Sequence, residues 1–126
     1  MPELPEVEIV KCGLEEIFKN NSTIKKIECY RSDLRHPMPV KELAKLNNLK
    51  VVKVERRAKF LLIRCEQVTL VSHLGMTGTW RLANKADQRK HDHLCFLLSG
   101  GQRLVYHDPR RFGEFLIFND ELQKRL

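Results

Sequence analysis

The first residues of this chain bring together two groups that could act on the same carbon of a sugar. The sequence begins Met1-Pro2-Glu3, and removal of the initiator methionine would leave Pro2 with a free secondary amine. An α-amino group titrates at about 7.7–8.0, so about a quarter of it is neutral and nucleophilic at pH 7.4. A secondary amine condenses with an aldehyde carbon to an iminium, an electron sink suited to elimination, and Glu3 could exchange protons with the same substrate. The structural alternative is that Pro5 begins a helix whose dipole is stabilised by the glutamates.

Three stretches further along the chain contain residue types that suit contact with a nucleic acid. They are Arg56–Leu62, Ser72–Gly78 and Tyr106–Gly113. The first is a cluster of positive charges, including Lys59, that leads into an apolar run. Its alternative interpretation is a strand end with solvated charges.

The other two stretches place apolar side chains where turns are expected. Met76 lies between two glycines in a strand–turn–strand pattern, which suits insertion of a flexible apolar group into a stack of bases. An Asp-Pro dipeptide then opens a turn from which Arg110 and Arg111 could contact phosphates or base edges, and Phe112 could wedge between bases. In the structural alternative, Met76 and Phe112 pack back onto the core.

The periodicity of apolar residues predicts the elements that position these side chains. Helices are expected at 5–19 and 40–46, and a strand is expected at 22–31. From residue 49 onward short β-type runs follow one another, with strands predicted at 49–57, 59–65, 68–73, 78–83, 93–98, 102–107 and 114–118. Strands of this length and spacing favour an antiparallel sandwich or barrel. The polar segment 84–92 is predicted to be an exposed basic loop.

The composition narrows the class of protein. Among the 126 residues, 23 Lys and Arg oppose 16 Asp and Glu, and the formal net charge of +7 favours a polyanionic partner such as nucleic acid. A lysine-rich solvated surface is the alternative. No apolar run could cross a membrane and no signal peptide precedes the start, which indicates a cytosolic protein. The four cysteines lack metal-knuckle spacing, and three of them (Cys29, Cys65 and Cys95, but not Cys12) have the apolar or strand-like neighbours typical of buried free thiols.

Taken together, these stretches resemble the formamidopyrimidine-DNA glycosylase family. The matching motifs are the opening PELPEVE, ERRAKFLL at 55–62, HLGMTG at 73–78, KHDH at 90–93 and DPRRFG at 108–113. Their order and spacing agree with the N-terminal domain of that family over essentially the whole chain. The resemblance implies an α+β, mainly β fold, a two-layer antiparallel β-sandwich flanked by two α-helices. It assigns residues 1–118 to this catalytic domain and 119–126 to the start of a linker or helix.

The resemblance also implies catalytic roles. Pro2 would attack C1′ of the damaged nucleoside and form a Schiff base, with Glu3 as the proton donor and Glu6 as a supporting carboxylate. Lys59 would assist β-elimination and contact the phosphate backbone. If Met1 were retained, the Pro2 nitrogen would be an amide and could not be the nucleophile.

DNA contacts are implied at a further set of positions. His91 and Arg110 are similar to known family contacts, and His73 and Arg111 are expected to touch phosphates. In this family three side chains fill the space that an extruded base leaves in the duplex. Met76, Arg110 and Phe112 resemble those three side chains.

The implied function is that of a bifunctional base-excision repair enzyme acting as a monomer on damaged double-stranded DNA in the bacterial cytosol. It would remove oxidised purines, such as 8-oxoguanine and formamidopyrimidines, and then cleave the strand at the abasic site. Family members continue into a helical domain and a zinc finger beyond the residues matched here, so no cofactor is expected within this chain and its own DNA binding is expected to be weak. The alternatives are an endonuclease VIII-like enzyme for oxidised pyrimidines, a non-catalytic DNA-binding remnant, and a small RNA-binding domain that would leave Pro2 and Glu3 without a role.

Overall fold

The computed structural model describes residues 4–20, 23–30, 39–75, 78–84, 91–110 and 113–119. These residues form two α-helices and eight β-strands. The helices are α1 (Leu4–Asn20) and α2 (Val40–Leu43), and a 3₁₀ turn over Ala44–Leu46 continues the second. The strands are β1 (Thr23–Cys29), β2 (Leu49–Arg57), β3 (Phe60–Cys65), β4 (Val68–His73), β5 (Thr79–Asn84), β6 (Asp92–Leu98), β7 (Gln102–His107) and β8 (Glu114–Asn119).

Most element boundaries agree with the sequence pattern to within one residue. Strands β2, β4 and β7 begin and end at the predicted residues, because each is a short run that contains β-branched or aromatic residues and is followed by a turn. The prediction of an exposed loop over 84–92 is wrong at its ends. Asn84 is the last residue of β5, and Asp92 begins β6 with only 5% of its surface exposed. Residues 85–90 lie outside the described residues.

The antiparallel sheet folds over so that its two halves pack face to face. Its strand order is β5-β7-β6-β1-β2-β3-β4-β8, with β1 and β2 joined by a short pairing of Thr23 with Lys50 and Ile24 with Leu49. Strands that lie near opposite ends of this order nevertheless contact each other through their side chains. The ring of Trp80 in β5 lies 5.9 Å from that of Phe115 in β8, and its Nε1 donates to Ser72 Oγ in β4 over 3.3 Å. The predicted two-layer sandwich is confirmed.

Helix α1 packs against β2 and runs in the opposite direction to it. The buried face of α1 consists of Val7, Leu14 and Phe18. Near the start of the helix Glu8 bonds Arg56, whereas near its end Phe18 lines a cavity with Val51, so the two elements are antiparallel. The N-terminal end of α1 therefore lies beside the end of β2 that leads into the turn at residues 58–59.

The four cysteines are free thiols in different surroundings. Cys65 and Cys95 are buried, Cys29 is half-buried and Cys12 is exposed on α1. The prediction of buried thiols therefore holds for two positions and only in part for Cys29. Among the described helices, none combines the length and the apolar character needed to span a membrane.

Candidate active site and nucleic-acid interface

The turns that the sequence motifs occupy meet along one edge of the sandwich. Phe60 pairs with His73 and His73 with Glu114, so the 58–59 turn, the end of β4 and the start of β8 share one end of their half-sheet. In the other half, Thr79 and Asp92 both pair with His107. The connections 74–78 and 108–113 join these two ends directly. We call the described part of this edge, residues 58–60, 73–75, 78–79, 91–92, 107–110 and 113–114, the rim.

Arg56 ties helix α1 to the rim. Its Nε donates to Glu8 Oε1 over 3.0 Å, and its Nη1 donates to the carbonyl oxygen of Ala58 over 3.0 Å. The hydrogen bond from Arg56 is the main reason that the pKa of Glu8 lies below its ordinary value. Glu6 is exposed one half-turn earlier on α1. The first turns of the helix are thereby held next to the turn that contains Lys59.

Lys59 occupies a two-residue turn between β2 and β3, flanked by the paired residues Arg57 and Phe60. Ala58 has a φ of 52°, the sign that two-residue hairpin turns require at their first central position. Lys59 is half-buried, not fully solvated. The alternative of a merely solvated strand end therefore does not describe Lys59.

His73 lies beside this turn, on the neighbouring strand β4, where it pairs with Phe60. Its ring is 4.9 Å from that of Phe60, and its Nδ1 accepts a hydrogen bond from the N–H of Gly75 over 3.1 Å. Because Nδ1 is an acceptor here, a neutral ring carries its hydrogen on Nε2, and an N–H donor suits a phosphate oxygen. His73 is thus oriented by the first residues of the turn that leads to Met76.

A buried carboxylate organises the other half of the rim. Both oxygens of Asp92 accept hydrogen bonds from Arg81, each over 2.7 Å, and Oδ1 also lies 2.9 Å from Nδ1 of His107. The ring of His107 is 6.0 Å from that of His91, whose φ is 71°. Sequence reasoning missed Arg81, Asp92 and His107 as a group, although an acidic residue at the start of an apolar run was a visible signal.

The structure brings together most of the predicted site residues that it describes. Lys59, His73, His91 and Arg110 lie on the rim, with Arg110 exposed, and Glu6 lies on the helix that Arg56 attaches to it. The other predicted residues are outside the described part of the chain, and their roles stay predictions. They are Pro2, Glu3, Met76, Arg111 and Phe112.

A mainly β sandwich with lysine, arginine and histidine side chains on one rim is a domain suited to binding a polyanion such as DNA. The model of the formamidopyrimidine-DNA glycosylase N-terminal domain matches residues 1–115, and the chain belongs to this family. It is 50% identical over 123 residues to the formamidopyrimidine-DNA glycosylase of Bdellovibrio bacteriovorus and 42% identical over 127 residues to that of Acinetobacter baylyi. These alignments include 98% and 100% of this chain but 46% of each relative, so the chain spans just under half their length.

Solved structures give the same result. The chain resembles Lactococcus lactis Fpg in complex with DNA that contains an oxidised pyrimidine, with a TM-score of 0.86 and 32% identity over 98% of this chain and 47% of that one. A complex of the same Lactococcus lactis protein with Fapy-dG-containing DNA matches with a TM-score of 0.85 and 31% identity over 98% and 46%.

Proposed function

We propose that this chain is the catalytic N-terminal part of a base-excision repair enzyme that removes oxidised purines from DNA and then cleaves the strand at the abasic site. One observation carries the proposal. Arg56 bonds both Glu8 and Ala58, and so joins the start of α1 to the Lys59 turn on the same rim as the predicted DNA contacts. The relatives are named as DNA glycosylases and the solved neighbours are complexes with damaged DNA, which supports the same conclusion.

The proposed reaction begins at the amine of Pro2 after removal of Met1. Its nitrogen attacks C1′, the bond from C1′ to the base breaks, and loss of the amine proton with opening of the sugar ring gives the iminium. Glu3 donates a proton to the departing base, takes up the proton that the amine loses and returns it to O4′ when the ring opens, and Glu6 acts as a supporting carboxylate. Elimination then removes a proton from C2′ and releases the 3′-phosphate. Lys59 assists this step and contacts the phosphate backbone.

DNA engagement is assigned to the rest of the rim. His73, His91 and Arg111 contact phosphates, which position the duplex without reading its sequence. Met76, Arg110 and Phe112 enter the helix where the damaged base leaves, and recover part of the stacking energy that extrusion costs. An oxidised base that pairs and stacks less well is easier to extrude. Because the relatives are about twice as long, this activity is proposed for the whole protein.

A second candidate is an endonuclease VIII-like enzyme for oxidised pyrimidines. It is favoured by one observation, the similarity to a Lactococcus lactis Fpg structure whose DNA contains an oxidised pyrimidine. Excision rates on matched duplexes with 8-oxoguanine, a formamidopyrimidine or an oxidised pyrimidine distinguish the two candidates. The first predicts the higher rates on the two purine lesions.

The proposal includes no metal or other cofactor within this part of the chain. Zinc needs several thiolate or imidazole ligands in one place. The cysteines do not fit that need, because Cys12 is exposed on α1, while Cys65 and Cys95 belong to separate apolar clusters. We further propose that the enzyme acts as a monomer on chromosomal DNA in the bacterial cytosol. DNA as the partner is supported by the names of the bacterial relatives.

Borohydride trapping on an abasic or 8-oxoguanine duplex tests the proposed chemistry. The methionine-trimmed protein should form a covalent adduct through Pro2, because borohydride reduces the iminium to a stable amine. Blocking of the N-terminal amine should abolish the adduct, and an adduct that survives blocking would exclude Pro2 as the nucleophile.

The role of Lys59 can be measured on the same substrates. Lys59→Ala should slow strand cleavage by about a hundredfold, a usual loss when a group that assists proton transfer is removed. Lys53→Ala is the matched control, since Lys53 is an exposed lysine of β2 that pairs with Arg64 in the middle of the strand and not with the residues of the turn. It should change the rate less than about twofold.

A further inference from the structure

The hydroxyl of Tyr106 lies where the two connections between the half-sheets come together. It is buried and donates a hydrogen bond to Asp108 Oδ2 over 2.9 Å. A Cβ atom added to Gly113 would come 1.8 Å from this hydroxyl, and one added to Gly78 would come 2.2 Å from it. The last residue of the 74–78 connection and the last residue of the 108–113 connection are therefore both packed against one oxygen atom.

Asp108 is held in place from several directions. Its N–H donates to the carbonyl oxygen of His91 over 3.0 Å, and its own carbonyl oxygen lies 2.6 Å from Nε2 of the buried His93, which must donate because a carbonyl only accepts. Its Oδ2 also accepts the N–H of Gly113 over 2.8 Å. Asp108 thus fixes both ends of the 108–113 connection: its backbone fixes the first end, and its carboxylate fixes the second through Gly113.

The 74–78 connection is closed in a similar way. The N–H of Gly78 donates to the carbonyl oxygen of Leu74 over 2.8 Å, and a Cβ at position 78 would lie 2.4 Å from that oxygen. Gly78 therefore sits between its own turn and the Tyr106 hydroxyl with no room for a side chain. The distance between the two connections is set at this contact.

We propose that the Tyr106 hydroxyl and the Asp108 carboxylate form one positioning unit that sets the spacing of the 74–78 and 108–113 connections, and through it the discrimination between damaged and undamaged DNA. The inference rests on the proposed function, because Met76 belongs to one connection and Arg110 and Phe112 belong to the other. Side chains from two turns fill a single gap in the base stack only when the ends of those turns keep a fixed separation.

A purely structural role makes a different prediction. The Tyr106 ring packs against Trp80 at 5.2 Å and Phe115 at 4.8 Å, so the ring itself belongs to the core. Tyr106→Phe keeps these contacts and removes the hydroxyl alone. A structural hydroxyl would affect stability and leave the preference for damaged DNA unchanged, whereas a positioning hydroxyl changes the preference.

The chain supplies its own matched control. It contains two tyrosines, and the other, Tyr30, packs against a separate apolar cluster of Ala83, Cys95 and Val105. Tyr30→Phe therefore removes a tyrosine hydroxyl from a cluster that includes neither Asp108 nor the glycines of the two connections. Phe112→Ala serves as the reference for loss of an inserted side chain.

The experiment uses the full gene product and measures the ratio of the Kd for an undamaged duplex to the Kd for an 8-oxoguanine duplex. Tyr106→Phe should reduce this ratio about tenfold, the factor that corresponds to one hydrogen bond to a charged group, and Tyr30→Phe should change it less than about twofold. Single-turnover excision of the damaged base should slow by a similar factor, whereas cleavage at a preformed abasic site, where no base must be extruded, should slow less. Asp108→Asn should act in the same direction, and the double variant should be no worse than the worse single one.

Each contrary outcome has a separate meaning. An unchanged ratio in both Tyr106→Phe and Asp108→Asn, with a reduced ratio in Phe112→Ala, would overturn the positioning unit and leave the proposed function intact. Equal slowing of excision and abasic-site cleavage would also overturn it. A wild-type protein that neither prefers nor excises the damaged base would refute the proposed function, and this inference with it. If Tyr106→Phe does not fold, the ratio for Asp108→Asn decides.

Discussion

Arg56 donates from Nε to Oε1 of Glu8 over 3.0 Å, across 48 positions of sequence. The same side chain reaches the carbonyl oxygen of Ala58. Because Glu8 belongs to α1 and Ala58 to the turn that carries Lys59, one guanidinium positions the start of the helix relative to that turn. This pair joins the two stretches that the proposed Schiff-base mechanism needs side by side.

The Glu8–Arg56 bond should make stability depend on pH. The pKa of Glu8 in the folded chain lies below its ordinary value of 4.5, chiefly because of the hydrogen bond from Arg56. The ionised carboxylate therefore stabilises the fold at pH values above 4.5, and this contribution is lost as the pH falls through the lowered pKa. Glu8→Gln should lower the free energy of unfolding at neutral pH, and the difference from wild type should vanish in acid.

Urea denaturation at a series of pH values measures this effect. Glu16→Gln is the control, because Glu16 lies on the same helix but pairs with Lys19 on the surface. It should leave the free energy of unfolding almost unchanged. A Glu8→Gln deficit that stayed constant from neutral pH to pH 3 would contradict the assignment.

Two ion pairs of equal length should differ in their contribution to stability. Arg81 meets Asp92 at 2.7 Å with the Asp92 side chain fully buried, whereas Arg103 meets Glu28 at 2.7 Å with the Glu28 side chain 36% exposed. Asp92→Ala leaves a partly buried guanidinium without its carboxylate and should cost about 3–5 kcal/mol in the free energy of unfolding. Glu28→Ala should cost less than about 1 kcal/mol. Chemical denaturation measures both values, and similar losses would mean that burial does not govern them.

The salt dependence of DNA binding should identify the phosphate contacts. Arg110 is exposed on the rim, so Arg110→Ala should weaken binding and reduce the slope of log K against log salt concentration by about 1. Lys19 is a suitable control, because it is exposed at the opposite end of α1 from the rim. Lys19→Ala should leave the slope unchanged. Fluorescence anisotropy over a range of salt concentrations measures the slope, and equal changes in both variants would indicate a diffuse charge effect.

The thiols should react in the order of their exposure. Burial raises the pKa of Cys65 to about 11, whereas Cys12 is exposed. Because the thiolate is the reactive form, a thiol reagent at about pH 8 should modify Cys12 first and Cys65 only after unfolding. Mass spectrometry of partially modified protein shows the order, and the fully denatured chain serves as the control for intrinsic reactivity. Rapid modification of Cys65 in the folded protein would contradict its burial.

Local patterns in the sequence predict the elements of this fold. The helical spacing of Val7, Leu14 and Phe18 locates α1, and runs of strand-forming residues locate β2 and β4, because these signals depend on near neighbours alone. The motifs also identify Lys59, His73, His91 and Arg110 as candidates, and the structure places all four on the rim. The prediction of an exposed loop that extends to Asp92 is wrong. A charged residue in a polar segment resembles a loop residue until its partner in the fold is known.

The partners are what only the tertiary structure decides. Asp92 is buried because Arg81 of β5 and His107 of β7 bond it, and Tyr106 is indistinguishable from an ordinary core residue until Gly78 and Gly113 are found against its hydroxyl. Contacts of this kind join residues that the chain brings together only when the two half-sheets close. The sequence by itself therefore determines which residues can do chemistry and which elements carry them. Their distances and their hydrogen-bond partners follow from the packing of the two layers, because pairing between distant strands leaves no local pattern in the chain.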